Sequence, residues 1–306
     1  MTAAPTLLDA TATALALPWD ALVAQLRAVL RDPQVTVPPR LVQPLPGGGS
    51  LFVMPACDER VAISKLITFT PANVGTSRPA IQGDVVVFDV PTGARMAVLD
   101  GPTVTARRTA AVSLLAAQLL APRTDGPLLV VGAGAQGHAH LEAFAHGLGV
   151  KEAWVASRRT ASAQALADHG ASLGLRTRVV TDVDAALAHC PLVATCTPAR
   201  EVVLSALPQA GSFIAAVGAF TPQMAEIGPE ACRHVAAHGR IVVDTPDASH
   251  EAGDLLQARL DPSRYPSLRD VLDSPGMRHG PVLFKSCGWA GWDLAAARCA
   301  TPLART

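Results

Sequence analysis

An α/β fold, a doubly wound parallel sheet joined to a second α+β domain, is what this 306-residue sequence predicts. Three observations carry that expectation. From Leu128 onward, short apolar runs alternate with helix-compatible stretches. The first of those runs feeds straight into a G-x-G-x-x-G turn and then a helix-compatible segment, His138 to His146. Before it, Val37 to Leu99 reads as short extended runs broken by Pro and Gly. Strand–helix alternation is the signature of a parallel sheet with crossover helices, whereas strands joined by turns pair antiparallel.

Taken in chain order, residues 18–31 come first, with Leu22, Leu26, Val29 and Leu30 recurring at helical spacing along one side. Extended runs follow at Ser50–Met54, Val61–Ile67 and Asp84–Asp89. Asp89-Val90-Pro91-Thr92-Gly93 has turn chemistry ahead of Met96–Leu99, which suggests a hairpin. An Ala/Leu-rich helix is expected over about Thr105 to Leu120, then a linker from Pro122 to Gly126. The strands of the parallel sheet are expected at Leu128–Val131, Ala153–Ala156, Thr177–Val180, Leu192–Ala194, Ser212–Val217 and Arg240–Val243. The tail from about Gly291 to Ala300 reads as a helix that returns to the first domain. The expected domains are therefore 1–120 with a C-terminal helix at about 289–306, and 121–288.

Composition narrows the function classes. Hydrophobic residues at 49% with charged residues at 16% describe a soluble globular chain rather than a disordered one. Zero formal net charge gives no case for nucleic acid or an anionic membrane as partner. The six cysteines and nine histidines are scattered without metal-ligand spacing, so no metal is expected and the thiols suit a reducing compartment. The N-terminus lacks a basic stretch followed by an apolar core, and no apolar run reaches membrane-spanning length. A cytoplasmic protein is expected.

The glycine-rich turn carries the first functional reading. Gly132 permits the tight turn, Gly134 lets backbone approach a pyrophosphate, and Gly137 lets helix and strand pack closely. The helix N-terminus then offers free N–H groups and a positive dipole end to the phosphates. This is a dinucleotide site. Its next strand, Glu152 to Ala156, ends in Ser157-Arg158-Arg159 where an NAD-type site would place an acid on the ribose. A hydroxyl and two guanidiniums bind a 2′-phosphate, which favours NADPH over NADH.

Further blocks now become informative: Met54-Pro55, Ser64-Lys65, Asp100-Gly101, Thr105-Ala106-Arg107-Arg108-Thr109-Ala110-Ala111, Glu251-Ala252-Gly253-Asp254 and Phe284-Lys285-Ser286-Cys287-Gly288, in that order around the glycine loop. The chain resembles the ornithine cyclodeaminase/mu-crystallin family over nearly its whole length. The resemblance implies homodimers with a Rossmann domain and a β-rich domain through which they associate, acting on small α-imino or α-amino acids beside a nicotinamide. It assigns Arg40, Lys65 and Arg108 to the substrate carboxylate and active-site cations, and Ala135 and Gln136 to the pyrophosphate loop. It places Thr197 beside the nicotinamide ribose and Ser286 near the carboxamide; Val217, closing its strand, completes the cofactor set.

Read from the residues alone, several of these positions admit a second account. Lys65 sits inside an apolar strand, where its ammonium is costly unless paired; a snorkelling edge-strand lysine is the other reading. Arg108 opens an apolar helix and could form a buried pair with Asp100. Arg40 follows the rigid Pro38-Pro39, yet a surface-loop arginine fits the same pattern. Turn capping and a helix start account equally for Thr197 and Ser286. Glu251 and Asp254 read as caps or ion-pair members.

One departure bears on the reaction. Cyclodeaminases of this family carry an Asp just before a Pro after the Ser212–Val217 strand; here the segment is Val217-Gly218-Ala219-Phe220-Thr221-Pro222 and the matching position is Phe220. A phenyl ring transfers no proton and pairs with no ammonium. A hydride donor, a carboxylate clamp and an apolar wall suit a cyclic imino acid instead. The expectation is NADPH-dependent reduction of Δ1-pyrroline-2-carboxylate to proline and Δ1-piperideine-2-carboxylate to pipecolate, with the ring methylenes on Phe220. An open-chain amino-acid dehydrogenase, a cyclodeaminase of the same fold and a non-catalytic NADPH-dependent ligand binder remain the alternatives.

Overall fold

Two sheets organise the chain, one in each of two units: residues 1–108 with 289–306, and residues 109–288. The computed structural model describes residues 5–73, 76, 78–198, 201–273 and 279–301.

The first unit opens with β1 (Thr6–Leu8), α1 (Ala10–Leu15) and α2 (Trp19–Arg31), then β2 (Leu41–Pro44), β3 (Ser50–Cys57), β4 (Val61–Phe69), β5 (Ile81–Asp89) and β6 (Arg95–Asp100). The sheet order is β1-β6-β5-β4-β3-β2, antiparallel throughout except for the parallel β1–β6 pair. Because side chains alternate across a strand, one face collects Val61, Ile63, Lys65, Ile67, Val85, Val87, Ala97 and Leu99, all buried. The C-terminal helix, Ala290–Ala300, packs on α2, β3 and β4. Helix α2 contributes Leu22, Leu26 and Val29, each worth ~1.5–3 kcal/mol when fully buried. The opposite sheet face keeps apolar side chains in the open: Leu7 is 74% exposed, Leu41 55% and Leu66 47%.

Helix α3 (Gly101–Leu120) begins earlier than the sequence suggested. Gly101-Pro102 looks like a breaker, but proline is well tolerated in a first helical turn, and Asp100 Oδ1 accepts from the Thr103 N–H at 2.8 Å. Gly101 is required by packing, since a Cβ there would lie 2.5 Å from the Gly83 carbonyl oxygen. The division between the units falls inside α3 rather than in the Pro122–Gly126 stretch.

The second unit contains β7 (Leu128–Val131), α4 (Ala135–Leu148), β8 (Glu152–Ala156), α5 (Thr160–Ser172), β9 (Arg176–Val179), α6 (Val183–Leu187), β10 (Leu192–Thr195), β11 (Phe213–Ala216), α7 (Pro229–His238), β12 (Arg240–Val243), α8 (Gly253–Gln257), α9 (Leu268–Val271) and β13 (Val282–Lys285). All its strands are parallel, in the order β12-β13-β11-β10-β7-β8-β9. Every residue of β7, β10, β11 and β13 is buried, as expected of central strands covered on both faces. The chain winds from β7 outward to β8 and β9, then crosses to β10 on the other side. That reversal opens a crevice at the carboxyl ends of β7 and β10, where ligands bind in such sheets. No described helix is long and apolar enough to cross a membrane.

Candidate active site

The three glycines after β7 are set apart by what a side chain would meet. Gly132 has φ +109°, and its Cβ would lie 2.7 Å from the Cys196 carbonyl oxygen. A Cβ on Gly137 would come within 2.0 Å of the Gly132 oxygen, so helix α4 packs against the turn through the absence of a methyl group. Gly134 differs: nothing lies within 4 Å of its would-be Cβ. Internal packing does not demand glycine there, and the open space leaves the backbone accessible to a ligand. Gly134 is also the N-cap of α4 and supplies no side-chain cap, which leaves Ala135 and Gln136 at a first turn whose N–H groups suit phosphate oxygens. The residues fit a dinucleotide pyrophosphate.

Ser157, half-buried, stands just beyond β8, followed by exposed Arg158 and Arg159, the latter the N-cap of α5. No acid occupies this strand exit.

The carboxyl ends of β10, β11 and β13 bring Thr197, Val217, Phe220 and Ser286 to the same edge of the sheet as the glycine turn. A buried charged network holds these loops. Thr197 donates its backbone N–H (2.6 Å) and its hydroxyl (2.9 Å) to Glu226 Oε1. Gly218 N–H (2.6 Å) and Ala219 N–H (3.3 Å) donate to Glu226 Oε2. Glu226 and Ile227 in turn donate their backbone N–H groups to Asp254 Oδ1 at 2.6 and 2.8 Å. Asp254 Oδ2 lies 2.8 Å from Lys285 Nζ, a charge contact rather than an aligned hydrogen bond. Lys285 donates instead to the carbonyls of Ala216 and Ala219.

Glu226, Asp254 and Lys285 are each fully buried. Burial pushes the Glu226 carboxyl up, against the pull of Lys285. For Lys285 burial acts downward, but Asp254, Cys287 and Glu226 outweigh it and hold the ammonium above its ordinary value. Phe220, half-buried, follows directly on the pinned Ala219. Ser286 spends its hydroxyl proton on Asp244 Oδ2 at 2.9 Å, beside the N–H groups of Cys287 and Gly288. Its oxygen can then still accept from an amide. Asp254 is thus an ion-pair member. Glu226 escaped notice in the sequence, although it is a lone charge in the run Met224 to Ile227; Lys285 stood in the Phe284–Gly288 block without a role, although it directly follows the apolar Val282 to Phe284.

The other cluster lies in the first unit. Lys65 sits on β4, between β3 and β5, opposite Met54 and Val85 and only 1% exposed. It does not snorkel. Its ammonium donates to Asp293 Oδ1 at 3.0 Å, and the Arg108 Nε lies 3.3 Å from the same oxygen without hydrogen-bond alignment. Asp100, the alternative partner for Arg108, is the cap of α3. Arg40, half-buried just before β2, is close enough for its charge to act on Lys65. Burial above all, with Arg108 and Arg40, pushes the Lys65 ammonium down to about 8, while Asp293 opposes them. Two cations, Lys65 and Arg108, therefore meet one carboxylate oxygen, and the charge of a third, Arg40, acts on Lys65. Asp293 was not singled out in the sequence; its signal was a lone acid in the apolar Gly291–Ala300 helix.

Comparison with known proteins yields consistent matches. The profile of the "Ornithine cyclodeaminase/mu-crystallin family" matches residues 10–302. Delta(1)-pyrroline-2-carboxylate reductase 2 of Burkholderia ambifaria is 40% identical over 297 residues, covering 95% of this chain and 94% of its own. The Delta(1)-pyrroline-2-carboxylate/Delta(1)-piperideine-2-carboxylate reductase of Azospirillum brasilense is also 40% identical over 297 residues, with the same coverage. Among solved structures, the Delta(1)-pyrroline-2-carboxylate reductase of Thermococcus litoralis, in complex with NADH and L-proline, superposes with a TM-score of 0.88 at 23% identity, covering 96% of each chain. That last likeness establishes the α/β fold.

Proposed function

The chain belongs to the ornithine cyclodeaminase/mu-crystallin family, and from that premise we propose that it is an oxidoreductase that reduces the C=N bond of cyclic ketimines, Δ1-pyrroline-2-carboxylate and Δ1-piperideine-2-carboxylate, to proline and pipecolate. The observation that carries the reading is the pair of buried cations Lys65 and Arg108, held side by side on one oxygen of Asp293, with the Arg40 charge acting on Lys65. A substrate carboxylate meets these cations with charge-assisted hydrogen bonds. Gly132, Gly134, Ala135, Gln136 and Gly137 hold the dinucleotide, and Thr197, Val217 and Ser286 serve its nicotinamide end. Bound there, the reduced nicotinamide would supply a hydride to the carbon of an imine already protonated on nitrogen, the C=N electron pair ending on that nitrogen as the amine lone pair. The protein's own work is to fix the carboxylate, orient the ring and present an apolar surface, Phe220, to its methylenes. No acidic side chain stands at position 220 to receive a distal amine, which favours reduction of a preformed ring over deamination.

Three finer assignments accompany this reading. NADPH is the preferred cofactor, supported by Ser157, Arg158 and Arg159 at the exit of β8. The protein is a homodimer joined through the open apolar face of the first sheet, supported by the exposure of Leu7, Leu41 and Leu66. A reducing cytoplasmic setting is supported by six free cysteines.

The test is NADPH oxidation, followed by absorbance, with freshly made Δ1-pyrroline-2-carboxylate and Δ1-piperideine-2-carboxylate, repeated with NADH and with pyruvate plus methylamine. Turnover of the cyclic imines is the expected result. No reduction of either ring above background overturns the assignment, and turnover of the open-chain pair alone replaces it with an amino-acid dehydrogenase.

A further inference from the structure

Lys65 poses a problem that its own strand does not solve. Its ammonium is almost fully removed from water, and the charges of Arg108 and Arg40 repel it. The charge that most favours it is Asp293, which reaches it from the C-terminal helix with Oδ1 at 3.0 Å. The same oxygen attracts the Arg108 guanidinium, and Asp293 itself is fully buried. Asp293 Oδ2 and Arg108 Nε are buried polar atoms without hydrogen-bond partners. Buried polar atoms are seldom left so, and each such case asks for an explanation. A group built only to tie the helix to the sheet would use both oxygens. One that shares a single oxygen between two cations holds them side by side.

We propose that Asp293 is the positioning residue of the carboxylate clamp: it sets Lys65 and Arg108 next to each other and keeps the Lys65 ammonium charged at neutral pH, so that the pair meets the substrate as cations. This rests on the reading of Lys65 and Arg108 as the clamp. Two consequences follow from the charges alone. The alkaline limb of kcat/KM reports loss of the Lys65 proton. Its position is governed by Asp293, because burial, Arg108 and Arg40 drive that proton off and the Asp293 carboxylate is the foremost group that retains it. Asp293 touches no reacting atom; it acts through Lys65.

The chain is well suited to a direct measurement, since its lysines are only Lys65, Lys151 and Lys285. Lysine labelled with 13C at Cε gives three resonances, assigned by Lys65→Arg and Lys151→Arg, whose titration reads each ammonium without reference to turnover. In the unaltered protein the Lys65 resonance titrates near 8, together with the alkaline limb of kcat/KM. In Asp293→Asn both midpoints move down together by ~1–3 pH units, the range expected for removing an opposite charge in contact. Asp293→Glu keeps the charge with a different reach; there too the resonance and the limb move together, whichever way, and this variant carries the test if the asparagine protein does not fold. A Lys65 midpoint unmoved in Asp293→Asn, or a limb that parts company with the resonance in either variant, overturns the proposal. If the resonance behaves as described and no cyclic imine is turned over, the reductase reading fails while the Asp293–Lys65 coupling stands.

Discussion

Replacing Lys285 by methionine is the sharpest test of the buried network in the nucleotide unit. The change keeps the length of the side chain and removes the cation that Asp254 and Glu226 share, all three fully buried. Two carboxylates then share a dry site, and one must take a proton. Glu226 is the candidate, since burial already raises it in the intact protein and Asp254 repels it. The sign follows from proton counts. A carboxyl raised in the folded state binds a proton that the unfolded chain has released, so stability falls as pH rises towards the folded value. With an unfolded value of about 4.3 and about 1.4 kcal/mol per unit, holding Glu226 protonated costs up to about 4 kcal/mol at pH 7.5 and about 2 kcal/mol at pH 5.5. The upper figure agrees with the ~3–5 kcal/mol typical of removing one partner from a buried pair. Urea unfolding of both proteins at the two pH values measures the difference. A destabilisation below about 1 kcal/mol at pH 7.5, or one that does not grow between pH 5.5 and 7.5, refutes the argument.

Other perturbations address separate elements of the site. Gly137→Ala forces a methyl group against the Gly132 carbonyl and lifts α4 from the turn, so NADPH affinity measured by fluorescence should fall at least ~10-fold. Arg158→Ala together with Arg159→Ala should lower the NADPH-over-NADH ratio of kcat/KM by ~10–100-fold while leaving kcat with NADH near its original value, a net loss for the exposed pair equal to one charged hydrogen bond at ~1.5–3 kcal/mol. Leu66→Asp places a charge in the middle of the open sheet face. Light scattering should then show monomers where the parent protein gives dimers.

Legibility in the sequence tracked how local each determinant is. The strand Leu128–Val131 and the strand Arg240–Val243 have the bounds their apolar runs suggest, and α2 follows the spacing of Leu22, Leu26 and Val29. By contrast β2 is exposed along its whole length and ends in Pro44, a residue confined to sheet edges, so no apolar alternation marked it. Strand β13 was hidden because its last residue is a lysine, a type almost never fully buried unless paired. The glycine turn could be read because its three glycines fall within six residues at a spacing that itself carries the signal, although the carbonyl that constrains Gly132 belongs to the distant Cys196. The partners that give Lys65 and Thr197 their surroundings, Asp293 and Glu226, are distant in sequence and meet them only through the fold. For the same reason Asp100, nearer in sequence, was the partner suggested for Arg108, where the fold brings Asp293.

That long separation also orders the protein's birth. Lys65 and Asp293 stand 228 residues apart, with the entire nucleotide unit between them in the chain. At ribosomal speeds of ~5–20 residues per second, the strand that carries Lys65 waits ~10–45 s for its counter-charge. During that interval, burying the lysine in the sheet means burying an ammonium opposed by nothing. The nucleotide unit has all of its own ion pairs in hand by then and can close on itself first. The amino-terminal sheet, although made earlier, is therefore expected to settle last, after the helix Ala290–Ala300 has been made.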